Sequence, residues 1–503
     1  MIIKHMFLIL GGLAGAAAAI PTHAANAANM QKMDAGSASI LARPDFQHRE
    51  MKIPASFLGI SVEYGNIPTF FSPVQLPLTV RLLKRLGRLQ GPPVLRIGGN
   101  SEDRAVWNLR SVRPLPPGDH INLSSATAAM LRAAAEATGG KLILGINFGR
   151  GTPAMAAPWI RCALADIGVG HIMAFEIGNE PDIYNHHGTR PRSYTLENYL
   201  KQWHAFADAI EPMMPRRRML AGPAFCASWR RDTPEFIRLE SSRLAVVTMH
   251  EYPLGAPIKN RRSPKYPSIA NLLTNSSADI YASLIRPSVA TGRRFGIPVR
   301  FAEINSAYAG GKEGVSNTFA ETLWSLDTMF EIASTGAAGV NFHTGPHYGA
   351  FWSFHSGSLQ VLPLYYGMLM FAQAAPPGAE LIPVAFHSRA NVKIWMTLDR
   401  RSTARIVMIN KDLHRDVTVR FNLPASTGGR LERLTAASVT ATTGIDIGGI
   451  TFSRSGNGVA SGRAQLPFVH PRAGAYSVTL PHCSAAMLIV QLRDARKLPI
   501  DER

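Results

Sequence analysis

Between residues 57 and 374, short apolar runs alternate eight times with segments in which apolar residues recur every three or four positions. The runs at 57–62, 94–97, 142–148, 172–177, 218–223, 244–250, 299–303 and 339–343 are continuous rather than alternating. That is the pattern of parallel strands covered on both faces. Helix-period segments follow near 75–88, 124–138, 154–167, 193–213, 232–242, 268–295, 317–335 and 359–374. A strand–helix alternation sustained this long closes into a (β/α)8 TIM barrel, expected over residues 51–375. The rival, an open doubly wound sheet, calls for a Gly-rich dinucleotide turn after the first strand, and none is present.

Past Ala375-Pro376-Pro377-Gly378 the pattern changes. Segments near 392–399, 404–410, 416–421, 430–441, 449–454 and 474–492 are short, alternating and separated by turn residues, which predicts an all-β sandwich over residues 376–495. Residues 25–50 are weakly patterned apart from a piece around 37–43, expected to add a strand to the sandwich; 496–503 read as a polar tail. Residues 1–24 read as a secretory signal peptide, with Lys4 and His5 ahead of an Ala-rich apolar core and Thr22-His23-Ala24 as cleavage site, and Ala28 as an alternative. The expected location is therefore secreted or periplasmic. No later stretch reaches about 18 uninterrupted apolar residues, so no membrane span is expected after signal removal.

Three cysteines, Cys162, Cys226 and Cys483, lie far apart without metal-ligand spacing and are expected as small buried residues. The adjacent His186 and His187 lack the i, i+4 spacing of a helical metal site, so neither metal nor cofactor is expected. The net charge of +19, from 53 Lys+Arg against 34 Asp+Glu, favours polyanionic partners. Nucleic acid is not expected among them, because no binding motif accompanies the charge.

Two of the apolar runs end on a glutamate. In FEIGNEPDIY (175–184) the fourth run gives way to Gly178, Asn179, Glu180 and Pro181, and Pro181 cannot donate to a sheet ladder. In VRFAEINS (299–306) the seventh ends at Glu303. Strand C-terminal ends form the reactive face of a barrel, so the two carboxylates are placed to flank a single bond. Retaining glycosidases need such a pair about 5–5.5 Å apart, one as nucleophile and one as acid, then base.

With these residues in place, the chain resembles the clan of barrel glycosidases whose strand-four glutamate, after Asn, is the acid/base and whose strand-seven glutamate is the nucleophile. The longer stretch AEINSAYAGGKEGVSNTFAETLWSLD (302–327) narrows the resemblance to family 79 glycoside hydrolases, the group of β-glucuronidases and heparanase. LRIGGNSED (95–103), MHEYPLG (249–255) and the barrel-plus-sandwich layout are compatible with it. The resemblance implies a retaining β-glucuronidase acting on glucuronic-acid-containing oligo- or polysaccharides, with Glu180 as acid/base and Glu303 as nucleophile. It further implies that Tyr308 and the Gly310 backbone N–H hold the substrate carboxylate, that Tyr252 donates to Glu303, and that Asn179 donates to the sugar 2-hydroxyl. Glu63 in GISVEYG, and Asn100 and Ser101 in the Gly98-Gly99 turn, are expected to bond sugar hydroxyls, and Tyr348 to reach the carboxylate. His250 is expected as a core or supporting histidine. Endo action, a neutral-sugar barrel glycosidase, and a non-catalytic glycan-binding protein remain alternatives.

One loop adds a charge argument. APIKNRRSPKYP (256–267) carries Lys259, Arg261, Arg262 and Lys265 without an acid and follows the sixth strand, on the same face as the glutamates. Neutralising these four residues should slow turnover of a polymeric uronate and flatten its dependence on ionic strength, while a small aryl glycoside is spared. Equal polymer rates across a salt series in both proteins would contradict this.

Overall fold

The computed structural model describes residues 38–493, apart from 50, 112–117, 347, 356–357, 425 and 453–455. The signal-peptide reading and the polar tail lie outside the described residues. Eight parallel strands close a barrel in strict chain order: β1 (Leu58–Glu63), β2 (Val94–Gly98), β3 (Lys141–Ile146), β4 (Ile172–Ile177), β5 (Leu220–Phe225), β6 (Leu244–Glu251), β7 (Val299–Ile304) and β8 (Gly339–Thr344). The fold is thus the (β/α)8 TIM barrel with a C-terminal all-β sandwich. β2, β5 and β7 are buried along their whole length and each of the other five strands at all but one position, which is why they read as continuous apolar runs.

The outer helices begin where local chemistry starts them. Thr152 and Thr195 cap Pro153–Cys162 and Leu196–Ile210, their side chains accepting from Met155 N and Asn198 N. Several boundaries differ from the sequence expectation, among them the 474–492 segment, which is two strands, Ala475–Leu480 and Ser484–Gln491, in different sheets. The fifth strand starts at Leu220, two residues after Arg218, whose φ of +55° turns the incoming chain. The last helix starts at Pro363, a residue suited to a first turn, while Ser358–Val361 pairs antiparallel with Trp352–His355 instead of continuing the helix.

In the C-terminal region, Val392–Leu398, Thr403–Asn410, Ser484–Gln491 and Gly429–Thr435 form the centre of one antiparallel sheet. Val417–Asn422 and Ala475–Leu480 form a second sheet, which the short strand Ala38–Leu41 joins in parallel with Val417–Asn422. Apolar residues between the two sheets make their own core, including Met396, Ile406, Val419, Tyr476 and Leu488.

The sandwich docks on the helix that follows β7, here α1 (Phe319–Ser334). Asp327 on α1 is fully buried and accepts from Trp395 Nε1 at 3.0 Å and from Lys411 Nζ at 2.6 Å. Next to it Lys393 Nζ reaches Glu331 at 2.7 Å, and the Trp395 ring stacks on Phe330 at 5.5 Å. Replacing Asp327 by Asn leaves the Lys411 ammonium buried without a counter-charge, so stability should fall by about 3–5 kcal/mol. Chemical denaturation should show an earlier midpoint for Asp327→Asn; an unchanged midpoint would contradict the role given to this pair.

Candidate active site

Glu180 stands just beyond β4, in a left-handed conformation (φ +52°, ψ +48°) rare for a residue with a side chain. Gly178 before it also has positive φ (+88°), and a Cβ there would press on the Phe148 ring at 3.0 Å. The turn is fastened from behind by Asp182, whose buried carboxylate accepts from Cys226 N at 3.1 Å and Ala227 N at 2.6 Å, tying the end of β4 to the end of β5. Glu180 Oε1 lies 3.2 Å from Nδ1 of the fully buried His250 on β6.

Glu303 sits at the end of β7, where the ladder is irregular on both sides. The register with β6 shifts between Met249 and His250, so that His250 faces Glu303, and the register with β8 shifts between Phe301 and Ile304. Such bulges re-aim a side chain that a regular pleat would direct elsewhere. One oxygen of Glu180, one of Glu303 and one ring nitrogen of His250 lie within 4.8 Å of one another. The two carboxylates, far apart in the chain, therefore meet at about the separation of a retaining pair and well short of the roughly 6.5–9.5 Å of an inverting one.

Glu303 is 7% exposed, and both its oxygens are engaged. Tyr252 OH donates to Oε1 at 2.7 Å, and Arg96 Nη1 donates to Oε2 at 2.6 Å, with His343 Nδ1 3.5 Å from Oε2. Burial on its own raises the Glu303 carboxyl, but His343, His250, Arg96 and the Tyr252 hydroxyl outweigh it and hold the group well below the usual carboxylate range. The Tyr252 phenol is pushed well above its ordinary value by burial and by the facing Glu303 charge, so it stays a donor.

Arg96 is the residue that sequence reasoning passed over, although it lies inside the LRIGGNSED run. It is wholly buried and spends its donors on Glu176 (Nε, 2.7 Å), Ser61 (Nη1, 3.2 Å), Glu303 and Asn179 Oδ1 (Nη2, 2.9 Å). The available signal was a lone arginine between Leu95 and Ile97 in an apolar strand, since a charge in such a run must find partners inside. Glu102 lies 3.7 Å from Arg96 Nη2, and neither of its oxygens accepts a hydrogen bond among the described residues. Burial pushes its carboxyl well above the usual range, against the pull of Arg96. His343, also unanticipated, comes from β8.

The other expected residues fall into two groups. Asn179 is buried between Arg96 and Asn100, donating through Nδ2 to Asn100 Oδ1 at 3.1 Å. Glu63 accepts from Asn100 N at 3.1 Å, from Ser101 N at 2.8 Å and from the Ser101 hydroxyl, so it braces the turn. Gly99 (φ +80°) makes this possible: a Cβ would fall 2.5 Å from Glu63 Oε1. Tyr308 lies over Gly255, where a Cβ would come 2.3 Å from its Cζ, and edge-on to Tyr252 at 6.5 Å. After it Ala309, Gly310 and Gly311 all have positive φ (+59°, +84°, +77°), a run of left-handed residues that turns backbone N–H groups away from any ladder. Tyr348 adjoins this turn through its backbone, its N–H donating to Gly310 O at 3.1 Å, while its side chain is 44% exposed and its hydroxyl donates to Glu313 at 3.2 Å.

Glu180, His250 and Glu303 are also the donor types of a cation site. Both Glu303 oxygens already accept hydrogen bonds, one from a guanidinium, and a cation there would be repelled by Arg96.

Residues 395–487 match the family model of the glycosyl hydrolase family 79 C-terminal beta domain. A β-glucuronidase of Aspergillus niger is 24% identical over 448 residues, covering 81% of this chain and 80% of its own length. Among solved structures, a 4-O-α-L-rhamnosyl-β-D-glucuronidase from Fusarium oxysporum superposes with a TM-score of 0.76 at 20% identity, over 89% of this chain and 99% of its own. A GH51 arabinofuranosidase from Xanthomonas axonopodis pv. citri has the same fold, with a TM-score of 0.66 at 14% identity, over 90% of this chain and 100% of its own.

Tyr252→Phe removes a donor to the ionised form of Glu303. The carboxyl should then titrate about 1–2 pH units higher, read as its carboxylate infrared band across a pH series. No movement, or movement downward, would contradict the role given to the phenol.

Proposed function

We propose that this chain is a family 79 glycoside hydrolase and, within that family, a retaining β-glucuronidase that releases β-linked glucuronic acid from glycans. The observation that carries the reading is the meeting of Glu180 and Glu303 within 4.8 Å, with Glu303 held ionised by Arg96 and Tyr252. The glucuronidase relatives support the substrate class. The arabinofuranosidase shares the fold alone, and fold does not choose the sugar.

In this reading Glu303 attacks the anomeric carbon as Glu180 gives its proton to the departing glycosidic oxygen. The C–O bond breaks, and a glycosyl ester forms on Glu303. Esterification removes the Glu303 charge, and Glu180, now ionised, takes a proton from the water that opens the ester; two inversions give retention. Asn179, held by Arg96 and Asn100, donates its remaining Nδ2 hydrogen to the sugar 2-hydroxyl. Tyr308 OH and the Gly310 N–H receive the uronate carboxylate, binding an anion without an opposing fixed cation that would have to be desolvated with it. The Glu63-braced turn presents Asn100 and Ser101 to sugar hydroxyls.

Residues 51–375 act as the catalytic barrel and 376–495 as the sandwich. The basic, apolar and small-residue succession of residues 1–24 supports export. Among the described residues no helix is long and apolar enough to cross a membrane.

Glu303→Gln should lower kcat/KM on an aryl glucuronide by at least about 10³-fold. Glu180→Gln should lose about 10²–10⁴-fold on poor leaving groups, retain more with good ones, and yield a β-glucuronosyl azide when azide replaces water. Faster turnover of the matching aryl arabinofuranoside or glucoside than of the glucuronide would overturn the substrate assignment.

A further inference from the structure

The opposite end of the barrel holds a cluster that the reaction does not use. Lys141 opens β3, Ile172 and Met173 open β4, Leu244 and Ala245 open β6, and Arg216, Arg217 and Arg218 lead into β5. Together with Gly170 and Gly296 these residues line a concavity of about 460 Å³, within the range of sites that take small molecules. Its four basic side chains are exposed, and none of them makes an ion pair among the described residues.

Three of the four are instead steadied by backbone carbonyls. Arg216 Nη2 donates to Ile172 O at 2.8 Å, Arg218 Nη1 to Phe295 O at 3.3 Å, and Lys141 Nζ to Gly170 O. A carbonyl orients a cation without neutralising it, so the concavity keeps a net positive charge that costs mutual repulsion. Its floor is apolar, made by Met173 and Ala245, and no acid lines it. Cations around an apolar floor are complementary to a ring with C–H faces and an anionic substituent.

We propose that this concavity is a second glycan-binding site, taking an anionic saccharide unit of the uronate- or sulfate-bearing polymer on which the enzyme acts. The choice of polymer rests on the glucuronidase reading; the cationic lining does not. Strand N-terminal ends face away from the reactive end of a barrel, so the site holds a different segment of chain from the one being cleaved and raises the local concentration of substrate.

The test is calorimetric titration of the intact protein with an α-linked oligogalacturonate and with sucrose octasulfate, neither of them a β-glucuronide. Arg216→Gln/Arg217→Gln/Arg218→Gln should bind at least one of them about tenfold more weakly than the natural sequence, with aryl-glucuronide turnover unchanged. Arg217 donates to nothing among the described residues, so Arg217→Glu reverses a charge without breaking a bond; it should weaken binding about threefold. Unaltered affinity in both variants would overturn the site. Inorganic phosphate binding as tightly as the oligosaccharides would overturn the saccharide as its occupant. Binding that follows the arginines in a protein inactive on aryl glucuronides would sink the glucuronidase reading and leave the site standing.

Discussion

One buried guanidinium holds the reactive end of the barrel together. Arg96 has no access to solvent, and such a charge survives in an interior only when its donors are occupied by well-placed acceptors. Glu176, Glu303, Ser61 and Asn179 supply them. Space for this cluster comes from absent side chains: a Cβ on Gly98 would lie 2.6 Å from the guanidinium, and one on Gly145 would lie 2.0 Å from the Glu102 carboxyl. Of the three acids around Arg96, Glu176 and Glu303 accept hydrogen bonds from the guanidinium, whereas Glu102 stands 3.7 Å away and burial pushes its carboxyl up. That arrangement lets Glu303 remain a carboxylate in a place where burial alone would protonate it.

Local irregularity, rather than the regular barrel, aims the pair. Glu180 reaches its place through a left-handed residue, and Glu303 through ladder shifts on both flanks. Strain of this kind persists only where the surroundings over-determine it. Asp182 does so for Glu180. For the loop after Glu303, Ser306 Oγ donates to the buried Glu321 at 2.8 Å, and Lys312 N donates to Ser316 Oγ at 2.9 Å, which folds the segment carrying Tyr308 and Gly310 onto α1. The same helix bears Asp327, the anchor of the sandwich. The C-terminal sheets are thereby tied to the helix that follows β7.

The eight strand positions, the change of character after residue 378 and the two glutamates were all legible in the sequence, because each leaves a local signature: continuous apolarity, turn residues, a polar residue closing an apolar run. Arg96, His343 and the bracing role of Glu63 were not so legible. Their partners lie tens to hundreds of positions away, and a carboxylate that binds a sugar has the same letter as one that ties a turn. Tyr348 shows the same limit. A tyrosine in the loop after a strand suggests a substrate contact, and nothing in the linear sequence places Glu313 beside its hydroxyl.

Burial periodicity is written residue by residue, and so the chain alone determined a barrel, a sandwich and which strand ends carry acids. Whether two of those acids share one linkage depends on ring closure, ladder shifts and a guanidinium from β2, none of which a linear spacing encodes. Only the closed barrel brings His343, His250, Arg96 and Tyr252 up to Glu303, where together they outweigh the burial that would raise its carboxyl.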